Sequence, residues 1–281
     1  MTDKQHPSRF ATDAVHSGTQ HIGDAVNTPI FQSSTYKLTD ERYAGWAAGA
    51  QHTLLYARLS TVNSDAVAQK LMALEGGEDA ETFSSGMGAI SATVMALLNQ
   101  GDHMVASADI YGGTYGLLTE EFPRFGISTT MADMRDPASY EAAIQENTKL
   151  LYIETLTNPV LKVCDIEAMA DVAKRHNLLL LIDNTFASPW GCKPLDMGVD
   201  LVLHSTTKYL GGHSDILGGA VVGSKDLIAQ IFMRKVHFGA APDPHSCYLL
   251  ERGMRTLDVR MPRSCDNAYN LAVRLENHPA I

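Results

Sequence analysis

Beyond about residue 61, short apolar runs alternate with stretches of helical spacing. The runs His103 to Ser107, Leu150 to Glu154, Leu178 to Asp183, Leu201 to Ser205 and Ala220 to Val222 have the length of strands and little polar alternation. Such strands are covered on both faces, which predicts a mainly parallel sheet sandwiched by helices. Val67, Leu71 and Leu74 recur as one helical face, which Asn63 and Ser64 can cap and Gly76-Gly77 can end. Ile90, Val94, Leu97 and Leu98 mark a second helix after Ser84-Ser85-Gly86. Ile166, Met169, Ala170, Val172 and Ala173 mark a third behind Asp165, a good N-cap. From Ser246 onward the chain reads as mostly helical. Residues 1–60 lack a sustained period and hold turn material (Thr28-Pro29, Gly45, Gly49), which predicts an arm lying on another surface.

Composition narrows the partners. With 281 residues, 45% of them hydrophobic, the chain is long enough to bury about three quarters of its unfolded surface. Its 32 acidic and 22 basic side chains give a net charge of −10 with no basic run, so the footprint for nucleic acid or an anionic membrane is missing and a small molecule is the expected partner. No apolar run approaches the ~20 residues of a bilayer span, and the polar start lacks a signal-peptide core, which reads as a soluble, cytoplasmic protein. Cys164, Cys192, Cys247 and Cys265 never fall into Cys-x-x-Cys spacing and read as reduced core or surface thiols. The histidines have no zinc-site spacing, so no metal is expected. The serine-hydrolase elbow is absent, and His213-Ser214-Asp215 reads as a polar loop rather than a triad. A nucleotide-binding reading founders on Gly218 to Gly223, because Ser224-Lys225 follows where Lys-Ser/Thr is required.

In open α/β sheets the working residues gather where strands end. His204-Ser205-Thr206-Thr207-Lys208 leaves one such strand. Lys208 there can form a Schiff base while Ser205 and Thr207 bond a phosphate on the same ligand, although a plain solvated strand exit has the same composition. Asp183 ends a wholly apolar strand, where a carboxylate needs a cation or metal, or else caps the next turn. Glycines in Ser84-Ser85-Gly86-Met87-Gly88 let backbone amides approach an anion at a helix mouth, or simply start the helix. Tyr111, at another strand exit, is placed to stack on a planar ring or to join the core.

Taken in order, Tyr56-Ala57-Arg58, Ser84 to Gly88, Tyr111-Gly112-Gly113-Thr114, Glu154-Thr155 with Asn158-Pro159, Asp183-Asn184-Thr185 and Ser205 to Lys208 strongly resemble the Cys/Met-metabolism family of pyridoxal-phosphate enzymes. That family includes cystathionine γ-lyase, methionine γ-lyase, cystathionine β-lyase and cystathionine γ-synthase. The likeness runs from about Val15 to the last residue. It implies a fold-type I, aspartate-aminotransferase-like large domain over residues 61–260. The arm, residues 1–60, then serves a neighbouring subunit, and residues 261–281 begin a C-terminal small domain that is otherwise missing.

The resemblance also implies roles. Lys208 is the Schiff-base lysine and proton shuttle, Asp183 the partner of the cofactor's ring nitrogen, and Tyr111 the stacking residue that assists the leaving group. Gly86, Met87, Ser205 and Thr207 form the phosphate cup. Asn158 lies near the cofactor hydroxyl and substrate carboxylate, while Tyr56 and Arg58 reach the neighbouring subunit's cofactor phosphate. The implied cofactor is pyridoxal 5'-phosphate, the substrate a sulfur amino acid, and the assembly a homodimer within a homotetramer. Gly113 replaces the cysteine usual in methionine γ-lyases, which favours γ-elimination of the cystathionine γ-lyase type, with the other family activities as alternatives. The family's carboxylate-binding arginine is expected beyond Ile281, so a cofactor-binding fragment of low activity is the alternative of another class, with Arg255, Arg260 and Arg263 as possible substitutes.

Overall fold

The computed structural model describes residues 7–48 and 52–281; Gly49, one of the turn residues assigned to the arm, lies outside them. Seven strands form one sheet: β1 (Asp79–Phe83), β2 (His103–Ser107), β3 (Ser128–Ala132), β4 (Thr148–Glu154), β5 (Leu179–Asp183), β6 (Leu201–His204) and β7 (Gly219–Gly223). Their spatial order is β1-β7-β6-β5-β4-β2-β3. The run β3-β2-β4-β5-β6 is parallel throughout, and β7 is antiparallel to both β6 and β1. The sheet is therefore mixed and mostly parallel. The α-helices before β3 are α1 (Pro7–His16), α2 (Asp40–Ala47), α3 (Val62–Glu75), α4 (Gly86–Leu97) and the short α5 (Gly112–Gly116). After β3 come α6 (Pro137–Ala143), α7 (Ile166–Arg175), α8 (Ser188–Gly191), α9 (Lys225–Phe238), α10 (Pro244–Met254) and α11 (Leu257–Glu276).

Successive residues of one strand enter different cores, which is why the runs lack polar alternation. Tyr152 of β4 packs with residues of α4 and α9, whereas its neighbours Leu151 and Ile153 pack against Met169 and Val172 of α7. A third cluster joins Val67, Leu71 and Leu74 of α3 to Leu250 of α10 and Leu257 of α11. No helix among the described residues is long and apolar enough to cross a membrane.

Two strands carry no apolar signature. In β1, Glu81 is buried and paired with Lys235 of α9 at 2.8 Å, both side chains 2% exposed, so a charge in a core strand is balanced by a residue distant in sequence. β3 and β1 are the two sheet edges, and β3 is the less buried one; its Ser128-Thr129-Thr130 start suits a strand whose outer side meets solvent. The cap of α3 also differs from expectation. Thr61 is the N-cap and accepts from the Ser64 amide, and Ser64 reciprocates, completing a capping box. Asn63 instead turns to the arm, accepting from the Phe31 amide at 2.9 Å and donating to the Pro29 carbonyl at 3.0 Å. The arm holds two helices, α1 and α2, that periodicity did not reveal. Ala14 of α1 is buried, and its carbonyl accepts from Lys70 Nζ at 2.9 Å.

Candidate active site

The C-terminal ends of β4, β5 and β6 meet the N-terminus of α4 around a cavity of about 220 Å³. Lys208, Asp183, Tyr111, Asn158, Gly86, Met87, Ser205 and Thr207 all line it. Eight residues singled out in the sequence are thus brought together, spread from position 86 to position 208. A wider cleft of about 1220 Å³ shares Phe186, Thr207, Lys208 and Leu217 with it.

Each wall has a local cause. Gly86 is needed because a Cβ there would lie 2.8 Å from the Cβ of Ser205, so the helix mouth and the loop after β6 touch through a missing side chain. Ser85 caps α4 by accepting from the Gly88 amide at 3.0 Å. The Thr207 hydroxyl is fixed on Gly218, accepting from its amide at 3.2 Å and donating to its carbonyl at 3.3 Å. Lys208 is exposed, and its ammonium has no hydrogen-bond or ion-pair partner among the described residues.

Asp183 does cap the next turn: its Oδ1 accepts from the Thr185 amide at 3.0 Å and from the Thr185 hydroxyl at 2.5 Å. The same hydroxyl accepts from the Ser205 amide at 2.8 Å. Thr185 therefore links the carboxylate at the end of β5 to the loop that carries Lys208. Burial raises the Asp183 pKa, and the Thr185 bonds oppose that rise. No side-chain cation contacts Asp183, and no group of acidic, histidine and cysteine side chains fit to hold a metal occurs among the described residues.

Glu154 is the register partner of Asp183 on β4 and lines the same cavity. It is 3% exposed, and burial followed by the neighbouring Asp183 pushes its pKa up to about 8. Neither Glu154 nor Thr185 had been assigned a role from the sequence. Glu154 carries the same signal that exposed Asp183, a carboxylate ending an apolar strand. Behind them, buried Glu75 accepts from Asn184 Nδ2 at 3.1 Å and pairs with His204 Nε2 at 2.5 Å, holding the ends of β5 and β6 together.

Tyr56 and Arg58 stay away from this cavity. Arg58 lies over the Tyr56 ring at 5.4 Å and donates to the Val236 carbonyl at 2.7 Å, beside a groove lined by Leu38, Tyr43, Trp46 and Met233. Of the three candidate arginines, Arg255 and Arg260 are occupied by bonds to Asn27, Glu251, Tyr209 and Gly253. Arg260 and Arg263 both line the wider cleft. His213 bonds the Gly211 carbonyl and forms no triad with its neighbours.

The donor set fits a planar, anionic cofactor. A carboxylate without a cation stands at the cavity wall, an aromatic ring flanks it, a hydroxyl- and glycine-lined helix mouth suits a phosphate, and a free lysine completes the ring. Fold and site together define a pyridoxal-phosphate enzyme of the mostly parallel α/β class. Residues 11–281 match the family described as Cys/Met metabolism PLP-dependent enzyme. The chain is 43% identical to an L-methionine gamma-lyase of Porphyromonas gingivalis, covering 98% of this chain and 70% of that protein. It is 46% identical to a cystathionine gamma-lyase of Bacillus subtilis over 92% of this chain and 66% of that one. A solved cystathionine gamma-lyase from Lactobacillus plantarum, in complex with L-serine, superposes with a TM-score of 0.89 at 39% identity, covering 96% of this chain and 70% of that one. The chain belongs to the Cys/Met metabolism family of pyridoxal-phosphate-dependent lyases. These relatives are enzymes by name, which does not favour the low-activity fragment reading.

Proposed function

We propose that the protein is a carbon–sulfur lyase of the cystathionine γ-lyase type, releasing a thiol, a 2-oxo acid and ammonia from a sulfur amino acid. The observation that carries this reading is the convergence of Lys208, Asp183, Tyr111 and the Gly86–Ser205–Thr207 cup on one cavity. When bound, pyridoxal phosphate withdraws electrons from the substrate's α-carbon. Asp183 holds the proton on the ring nitrogen, and Thr185 holds Asp183 in place. Gly86, Met87, Ser205 and Thr207 take the phosphate, while Asn158 faces the ring hydroxyl and substrate carboxylate. Lys208 would hold the cofactor through Nζ and, at the same atom, would take the substrate's α-proton. Tyr111 stacks on the ring and supplies a proton toward the departing sulfur. Tyr56 and Arg58 act on a neighbouring subunit's phosphate, which makes a dimer the smallest complete unit.

The relatives bear different activity names, and Gly113 favours cystathionine over methionine as substrate. Borohydride reduction should fix a pyridoxyl group on the peptide containing Lys208, and Lys208→Ala should abolish it. An adduct on Lys225 or on Lys235, which is buried against Glu81, would sink the assignment. Ammonia and 2-oxobutanoate release should be faster with cystathionine than with methionine; the reverse order would reassign the substrate.

A further inference from the structure

Tyr111 and Asn158 stand on separate loops, after β2 and β4, and their relative position decides whether both can reach one ligand. Glu154 joins them. It is the last residue of β4, and its Oε1 accepts from the backbone amide of Tyr111 at 3.0 Å. The Asn158 backbone amide approaches the same carboxyl group. Oε2 is buried and makes no hydrogen bond of good geometry among the described residues. The Asn158 loop is closed on itself: the Thr157 amide donates to the Lys162 carbonyl and the Lys162 amide to the Thr157 hydroxyl, both at 3.0 Å. The Lys162 ammonium then pairs closely with Asp109, two residues before Tyr111.

The loop bearing Tyr111 is thus held to the loop bearing Asn158 at two points, one buried and one near the surface. A buried carboxyl group is costly without a partner, and the one hydrogen bond of good geometry that the Glu154 side chain makes among the described residues goes to the amide of the neighbouring loop. Asp183 of β5 and Lys208 of the loop after β6 line the same cavity and are the charged groups that face Glu154.

We propose that Glu154, backed by the Lys162–Asp109 pair, is a positioning residue that makes Tyr111 and Asn158 one rigid lip over the cofactor cavity. The proposal rests on the roles given above to Tyr111 and Asn158. Glu154→Gln keeps an acceptor oxygen where the Tyr111 amide needs one, whereas Glu154→Ala removes it. Lys162→Met removes the outer tie alone.

In the full chain loaded with pyridoxal 5'-phosphate, Glu154→Ala should reduce the visible circular dichroism of the bound cofactor. It should also weaken cofactor retention and lower kcat, each about 10-fold, with KM changed less, as displaced reacting groups do. Glu154→Gln should restore all three to near the wild-type values, and Lys162→Met should shift them in the same direction by about 2-fold. Dichroism and retention unchanged in Glu154→Ala, or failure of Gln to restore them, would overturn the proposal. Should Glu154→Ala not fold, an unchanged Lys162→Met would overturn it instead. Borohydride reduction of the wild type separates the two readings. A Lys208 adduct with unaltered variants defeats only the lip, and no Lys208 adduct defeats the site assignment together with it.

Discussion

Two glycines at the site lack a Cβ for different reasons, and their alanine variants should fail in different ways. At Gly113 a Cβ would lie 2.6 Å from Cε1 of Tyr111 and 3.2 Å from Sδ of Met87. Both neighbours are ends of flexible side chains, so the fold can absorb the methyl group by moving the ring. Gly113→Ala should leave the melting temperature nearly unchanged and cut kcat/KM by about 10-fold through the misplaced ring, measured with cystathionine. At Gly86 the neighbours are Cβ and Cα of Ser205, which cannot swing away. Gly86→Ala should cost about 1–3 kcal/mol in chemical denaturation and weaken cofactor binding as well.

Glu154 gives a pH signature at the same scale. Its folded pKa, about 8, exceeds the ordinary 4.5, so the folded state holds this proton more tightly than the unfolded state does. Its contribution is complete below pH 4.5 and is lost as the pH rises through 8. Denaturation curves between pH 5 and 9 should therefore show the wild type losing stability relative to Glu154→Gln. Parallel curves for the two proteins would contradict a protonated Glu154.

Among the elements, the strands legible in the sequence were those buried on both faces, because burial leaves a contiguous apolar run. β1 was hidden because Glu81 is neutralised by Lys235, a partner that no local pattern discloses, and β3 because an edge strand tolerates Ser128, Thr129 and Thr130. The site residues were legible where chemistry and strand end coincide, as at Lys208 and Asp183. Thr185 was not, because a threonine in a turn gives no hint that its hydroxyl bridges Asp183 and the Ser205 amide.

The end of the arm is held by His52, whose ring contacts Asp65 of α3 at 2.9 Å and Asp79 of β1 at 3.5 Å. Those bonds raise its pKa to about 10. A raised histidine pKa stabilises fully below about 6.5 and loses that effect as the pH climbs through 10. His52→Gln should lower the melting temperature modestly at pH 7, the ring being a third exposed, and the difference should vanish above pH 10.

At the scale of the whole molecule, the separation of Arg58 from the cavity of its own chain makes assembly testable. Arg58→Ala and Lys208→Ala chains, each inactive alone, should regain part of the activity when mixed, because some dimers then hold one intact site. Verified mixed dimers without activity would place Arg58's action within its own chain.

The sheet also orders events in time. Among the described residues β1 has β7 as its sole sheet neighbour, and β7 lies on the far side of β2 to β6 in the chain. A ribosome adding about 5–20 residues per second completes β1 many seconds before β7 emerges. During that interval the parallel strands β2 to β6 can pair, while β1 has no strand to pair with. Nascent chains arrested before Gly219 should accordingly be cut by protease around Asp79–Phe83, and chains long enough to expose Gly223 and α9 outside the ribosome should resist. The growing polypeptide thus carries this strand unpaired, with Glu81 still lacking Lys235, until β7 and α9 have been made.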